Sequence, residues 1–156
     1  MFKIAFPQLK VNHKIHILAN DIEHRLGILS FYVEDIHYNL MVTLLNDKFG
    51  IQVRGGCSCA GTYGHYLLHV DPTRSKRITD KINQGDLSEK PGWVRLSLHP
   101  TMTDDELQFI LDGIEETVKN VSEWEKEYDY SKTTNEFTHK KVVSEIPLMV
   151  KEWFVL

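Results

Sequence analysis

Eight residues concentrate reactive side chains: Arg54-Gly55-Gly56-Cys57-Ser58-Cys59-Ala60-Gly61. Cysteine thiolates attack electrophiles and ligate metals, and a neighbouring arginine favours the thiolate over the thiol. The glycines suit a loop that turns sharply or lets another group come close to its backbone. A second set lies further along, in Trp93-Val94-Arg95-Leu96-Ser97-Leu98-His99. Val94, Leu96 and Leu98 share one parity there, and Arg95, Ser97 and His99 the other, as in a strand with one buried and one polar side. The planar guanidinium grips a carboxylate through two parallel hydrogen bonds, which lysine cannot reproduce. Arg54 and Arg95 beside a thiol-bearing loop therefore describe an anion site. The plainer readings are a loop braced by Arg54, a surface ion pair at Arg95 and cysteines that serve as small packing.

Two other clusters carry alternative chemistry. Cys57 and Cys59 with His65 and His69 would make a metal or iron–sulfur module, the two histidines sharing a face if Tyr63 to Val70 is helical. Cys-x-Cys is tighter than the spacing of structural zinc sites. Arg74, Lys76 and Arg77 could take a phosphate, or simply form a solvated surface.

The elements that must position these groups are legible in part. Ile15 to Leu18 reads as a short strand and Ala19 to Arg25 as a turn. Gly27 then opens Ile28 to Val33, apolar on both faces like a central strand. The two runs should pair as neighbours. Asp35 is the expected N-cap of a helix whose apolar face is Ile36, Leu40, Met41, Leu44, Leu45 and Phe49, with Gly50 as its left-handed stop. Ile51 to Val53 should be the strand that delivers the glycine-cysteine loop. Tyr63 to Val70 fits either a short helix or extended chain, and residues 71–92 read as a polar insertion with room for an exposed helix. Thr103 and Glu106 form a capping box ahead of Leu107, Ile110, Leu111, Ile114, Val118 and Val121, the stripe of a long helix.

This order predicts an α+β two-layer sandwich, a small mixed sheet with helices on one face. The open face would present Arg54, Arg95, Ser97 and His99. Residues 1–14 read as a lead-in, 15–121 as the domain and 122–156 as a tail. The tail's apolar end, Ile146 to Leu156, should dock on this domain, on another domain or on a partner subunit.

The 156-residue chain is long enough for one core, with ordinary hydrophobic (42%) and charged (26%) shares. A formal charge of −4 argues against nucleic acid, and no apolar run approaches a membrane span. The N-terminus does not read as a signal peptide, and two cysteines one residue apart make no disulfide framework, so the expected setting is a reducing cytoplasm.

Gly50 to Ala60, followed by Val94-Arg95-Leu96-Ser97-Leu98 and the Thr103 helix start, resembles the small C-terminal domain of class V aminotransferases. These are fold-type I pyridoxal-phosphate enzymes that include cysteine desulfurases and selenocysteine lyases. The resemblance runs from about Ile15 to about Val121. It implies that Arg95 holds the substrate carboxylate, that Arg54 opens the active-site loop, and that Cys59 is the nucleophile where the reaction is desulfuration. Cys57 has no counterpart in the usual motif, and Gly61 and Thr62 stand where desulfurases commonly carry a proline. The family holds its cofactor on a lysine of a preceding large domain. No such domain precedes this sheet, and His139-Lys140 reads as tail. The resemblance thus implies an amino-acid substrate, a PLP-binding large domain as partner, a homodimer in the parent enzyme and no turnover by this chain alone. A non-catalytic assembly domain, docking through its apolar tail, is the alternative from a different class.

Overall fold

The computed structural model describes residues 2–22, 24–57 and 61–141. Cys59 and the apolar C-terminal run lie outside the described residues. Its strands β1 (Ile15–Ile17), β2 (Ile28–Val33), β3 (Arg54–Gly56) and β4 (Trp93–Ser97) form a four-stranded sheet in the order β1-β2-β4-β3, and every pairing is antiparallel. Alternation decides what each face does. Ile15, Ile17, Leu29, Phe31, Val33, Val94 and Leu96 are all buried in one core. Helices α1 (Phe2–Val11), α2 (Tyr38–Phe49) and α5 (Asp104–Trp124) cover that face through Ala5, Phe6 and Leu9, Met41 and Leu45, and Leu107, Leu111 and Ile114. Each fully buried Leu or Phe contributes about 1.5–3 kcal/mol relative to exposure. This is the expected α+β two-layer arrangement, but the sheet is antiparallel throughout rather than mixed.

Several local expectations are corrected. The lead-in is helix α1, which buries Ala5, Phe6 and Leu9 despite Pro7 inside it. Strand β2 is central in the sheet but buried on one side only, with Ile28 exposed and Ser30 and Tyr32 half-buried. Asp35 does not cap α2. It sits in the left-handed region (φ 58°) of a turn closed by Ile36 N–H on the Val33 carbonyl, 3.3 Å. The helix therefore starts two residues later, where His37 Nδ1 accepts from Asn39 N–H at 3.1 Å. At the other end Gly50 (φ 69°) closes the helix as expected, with its N–H on Asn46 and that of Ile51 on Leu45. That closure occupies Ile51, so strand pairing begins only at Arg54.

The remaining helices are α3 (Gly61–Leu67) and α4 (Pro72–Asn83). Asp71 caps α4 by accepting from Thr73 and Arg74 N–H at 2.9 and 3.0 Å, with Pro72 beside it in the first turn. Buried Ile78 anchors α4, and Glu89 ties it down by pairing with Arg77 and Lys81 at 2.9 and 2.6 Å. The capping box of α5 is present. Beyond α5, the stretch read as tail forms a hairpin, β5 (Tyr128–Ser131) and β6 (Glu136–His139), that rests on α2. Tyr128 packs with Leu40 and Leu44 and donates its hydroxyl to Asp47 at 2.9 Å. No described helix is long and apolar enough to cross a membrane.

Candidate substrate-anion site

The face of the sheet opposite α2 and α5 carries Ser30, Arg54, Arg95 and Ser97, with Trp93 buried on it where α3 packs. Residues directly opposed on antiparallel strands project from the same face, with Cβ atoms about 4.5–5.5 Å apart. Arg95 opposes Ser30 on one side and Arg54 on the other, so Ser30, Arg95 and Arg54 form a row across β2, β4 and β3. Arg54 is exposed and Arg95 half-buried. Arg95 Nε is shielded from solvent and has no hydrogen-bond partner among the described residues. Neither arginine joins an ion pair there. A donor left in this condition costs about 1–3 kcal/mol unless something else satisfies it.

The expected open-face set is thus brought together in part. Arg54 lies on β3 itself rather than at the head of a loop that follows the strand. Ser97 ends β4 and is exposed. His99 lies past the strand and is taken up by a turn, its Nδ1 2.7 Å from Thr101 Oγ1. Cys57 directly follows β3, half-buried. It sits against α3, where a Cβ built on Gly64 would lie 3.4 Å from Cys57 Cβ and 3.2 Å from the Trp93 ring. Further along the same face His16 stacks on Tyr32 (centroids 4.8 Å apart) and pairs with Glu34 at 2.6 Å.

The alternative clusters are differently engaged. Among the described residues no group of three or more His, Cys, Asp or Glu could hold a metal ion. His65 fastens α3 to α4 through Ser75 Oγ at 2.9 Å, and His69 takes a left-handed conformation (φ 50°) beyond α3. Lys76 pairs with Asp80 at 2.8 Å and Arg77 with Glu89, as a solvated surface would.

A part of the site had no sequence signal. Tyr38 and Asn39, in the first turn of α2, press against Gly55 from the core side. Asn135, in the hairpin turn, holds both from behind, donating its Nδ2 to the Tyr38 hydroxyl at 2.6 Å and accepting from Asn39 Nδ2 at its carbonyl. These contacts join residues ninety-seven and ninety-six apart in sequence, which no local pattern announces.

Comparison with protein families matches residues 2–110 to Aminotransferase class-V. A comparison with curated proteins finds no match. Class V enzymes are in general pyridoxal-phosphate dependent. The polar strand row of this chain contains no lysine, and Lys10, on the groove beyond Tyr32, is turned to the Asn20 carbonyl at 3.1 Å. Among the described residues this row thus offers donors that suit an anion and no amine for the cofactor's aldehyde. The family match takes in helices α1 to α4 and all four strands of the large sheet and ends inside α5, so this chain belongs to the class V aminotransferase family.

Proposed function

We propose that this chain is the substrate-binding, C-terminal small-domain part of a pyridoxal-phosphate-dependent class V enzyme acting on an amino acid. Arg95 grips the substrate carboxylate, with Arg54 beside it. The observation that carries this reading is the opposition of Arg54 and Arg95 on one face, with Arg95 Nε shielded and lacking an acceptor. Like charges directly opposed across a ladder repel, and a carboxylate between them relieves the repulsion while satisfying the orphan donor. Two parallel N–H···O bonds to a guanidinium also fix the orientation of the acid. Ser30, opposite Arg95 on its other side, adds a hydroxyl to the same row.

Cys59 is the nucleophile if the parent reaction is desulfuration, while transamination needs no thiol. The cofactor and its lysine come from a large domain supplied beyond these residues, in a homodimeric parent enzyme. The chain alone therefore binds substrate without turning it over.

The test is a titration of the isotope-labelled chain with L-alanine, following the Arg95 Nε–H resonance. A saturating shift is expected; followed instead at the Arg54 Nε–H resonance, which both variants keep, the response should be absent in Arg95→Ala and need at least about tenfold more L-alanine in Arg95→Lys. An Arg95 signal that ignores the amino acid would end the reading. In the assembled enzyme, desulfuration retained after Cys59→Ala would remove the nucleophile assignment.

A further inference from the structure

Two neighbouring side chains each reach Gly55 with one end and Asn135 with the other. A Cβ placed on Gly55 would come within 3.1 Å of Tyr38 Cδ2 and 2.7 Å of Asn39 Oδ1, so strand β3 lies directly on both. The Tyr38 ring also underlies Gly92, just before β4, where a Cβ would stand 2.5 Å from Cε1. At their far ends, the Tyr38 hydroxyl accepts from Asn135 Nδ2 and the Asn39 amide donates to the Asn135 carbonyl. Tyr38 and Asn39 are thus parallel struts between the hairpin turn and the backbone of the strand that carries Arg54.

Their far end is fixed. Asn135 is 6% exposed, takes φ 62°, and accepts at Oδ1 from the Tyr130 hydroxyl at 2.8 Å. The hairpin is held in turn by the Leu87 N–H on the Lys132 carbonyl at 2.8 Å. The near end needs fixing. Strand β3 has three residues, lies at the rim of the sheet and, among the described residues, pairs only with β4. A ladder so short leaves the register and tilt of β3 to whatever presses on its face.

We propose that Asn135, acting through Tyr38 and Asn39, is a positioning residue that sets where β3 carries Arg54 relative to Arg95. The hairpin lies outside the family-matched residues 2–110. Only the effect on binding rests on the carboxylate reading, since the mechanical coupling stands without it.

The experiment compares the full chain with Asn135→Gly, which keeps the left-handed backbone and removes the side chain, with Tyr38→Phe, and with the double variant. Thr103→Ala, which weakens a distant helix cap, controls for general destabilisation. The readouts are the amide resonances of Arg54 to Cys57, the Arg54 Nε–H resonance, and L-alanine affinity from Arg95 Nε–H. Both single variants should move the β3 and Arg54 signals in the same direction and weaken binding about three- to tenfold, with the double variant no worse than the poorer single. Thr103→Ala should move neither. Unmoved β3 signals in folded Tyr38→Phe, additive effects in the double, or an equal response in Thr103→Ala would overturn the proposal. If β3 responds as expected but wild type ignores L-alanine, the positioning stands and the carboxylate reading falls.

Discussion

Arg54 and Arg95 face each other across the β3–β4 ladder with no acidic side chain in ion-pair contact with either among the described residues. Such an arrangement is a stability liability, which on the proposed function a bound carboxylate relieves, and charge reversal separates the two roles. Arg54→Glu should raise stability by about 0.2–1 kcal/mol by giving Arg95 an opposed partner. The same change should abolish L-alanine binding by occupying the guanidinium. Urea denaturation and the titration, run on one sample, check both halves.

His37 predicts an acid-sensitive fold. Burial lowers its pKa from the ordinary 6.5, and the neighbouring Asn135 side chain only partly opposes this. Its ring is hemmed by Tyr38, Tyr130 and Phe137. As pH falls through 6.5 the unfolded chain takes up the proton first, so the stability His37 contributes is complete above that value and lost below it. Protonation also removes the Nδ1 acceptor that caps α2. The urea midpoint should therefore fall between about pH 7 and about pH 5, and fall less in His37→Asn, which keeps a capping acceptor that does not titrate.

The closeness of Gly92 to Tyr38 predicts an overpacking penalty. Gly92→Ala would put a methyl 2.5 Å from a ring pinned by Asn135. The ring cannot swing away without losing that bond, so a loss of about 1–3 kcal/mol is expected from chemical denaturation.

Thr103→Ala should cost about 0.5–2 kcal/mol by removing the capping box of α5. Carboxylate affinity should be unchanged, because the cap lies in the helical layer and the arginine row on the opposite face. A shift in both would mean that α5 stability feeds directly into the site.

Sequence pattern carried the parts of the fold that repeat locally. Alternation in Val94, Leu96 and Leu98 placed β4, and the stripe from Leu107 to Val118 with its capping box placed α5. Helix α1 escaped notice because Ala5, Phe6 and Leu9, which it buries, span little more than one turn around Pro7. The start of α2 was misplaced because two acceptors, Asp35 and His37, compete for one cap, and the backbone turn after β2 decides between them. At the candidate site, the placement of Arg95 on the face away from the core was legible from the alternation of Val94, Leu96 and Leu98. Tyr38, Asn39 and Asn135 were not, because their roles exist only once the hairpin has closed over α2. The Cys57 side chain is half-buried against α3, in line with the plainer reading of small packing, but α3 as its neighbour had no local signal.

The shortness of β1 and β3 has a consequence for how copies of this chain meet one another. Both rims of the sheet are three residues long, and the Arg54 rim is charged. A newcomer strand would find few free amides and carbonyls to template on, which blunts runaway cross-β stacking. Assembly with a cofactor domain or a second copy must then be written in side chains, and side chains can be made selective.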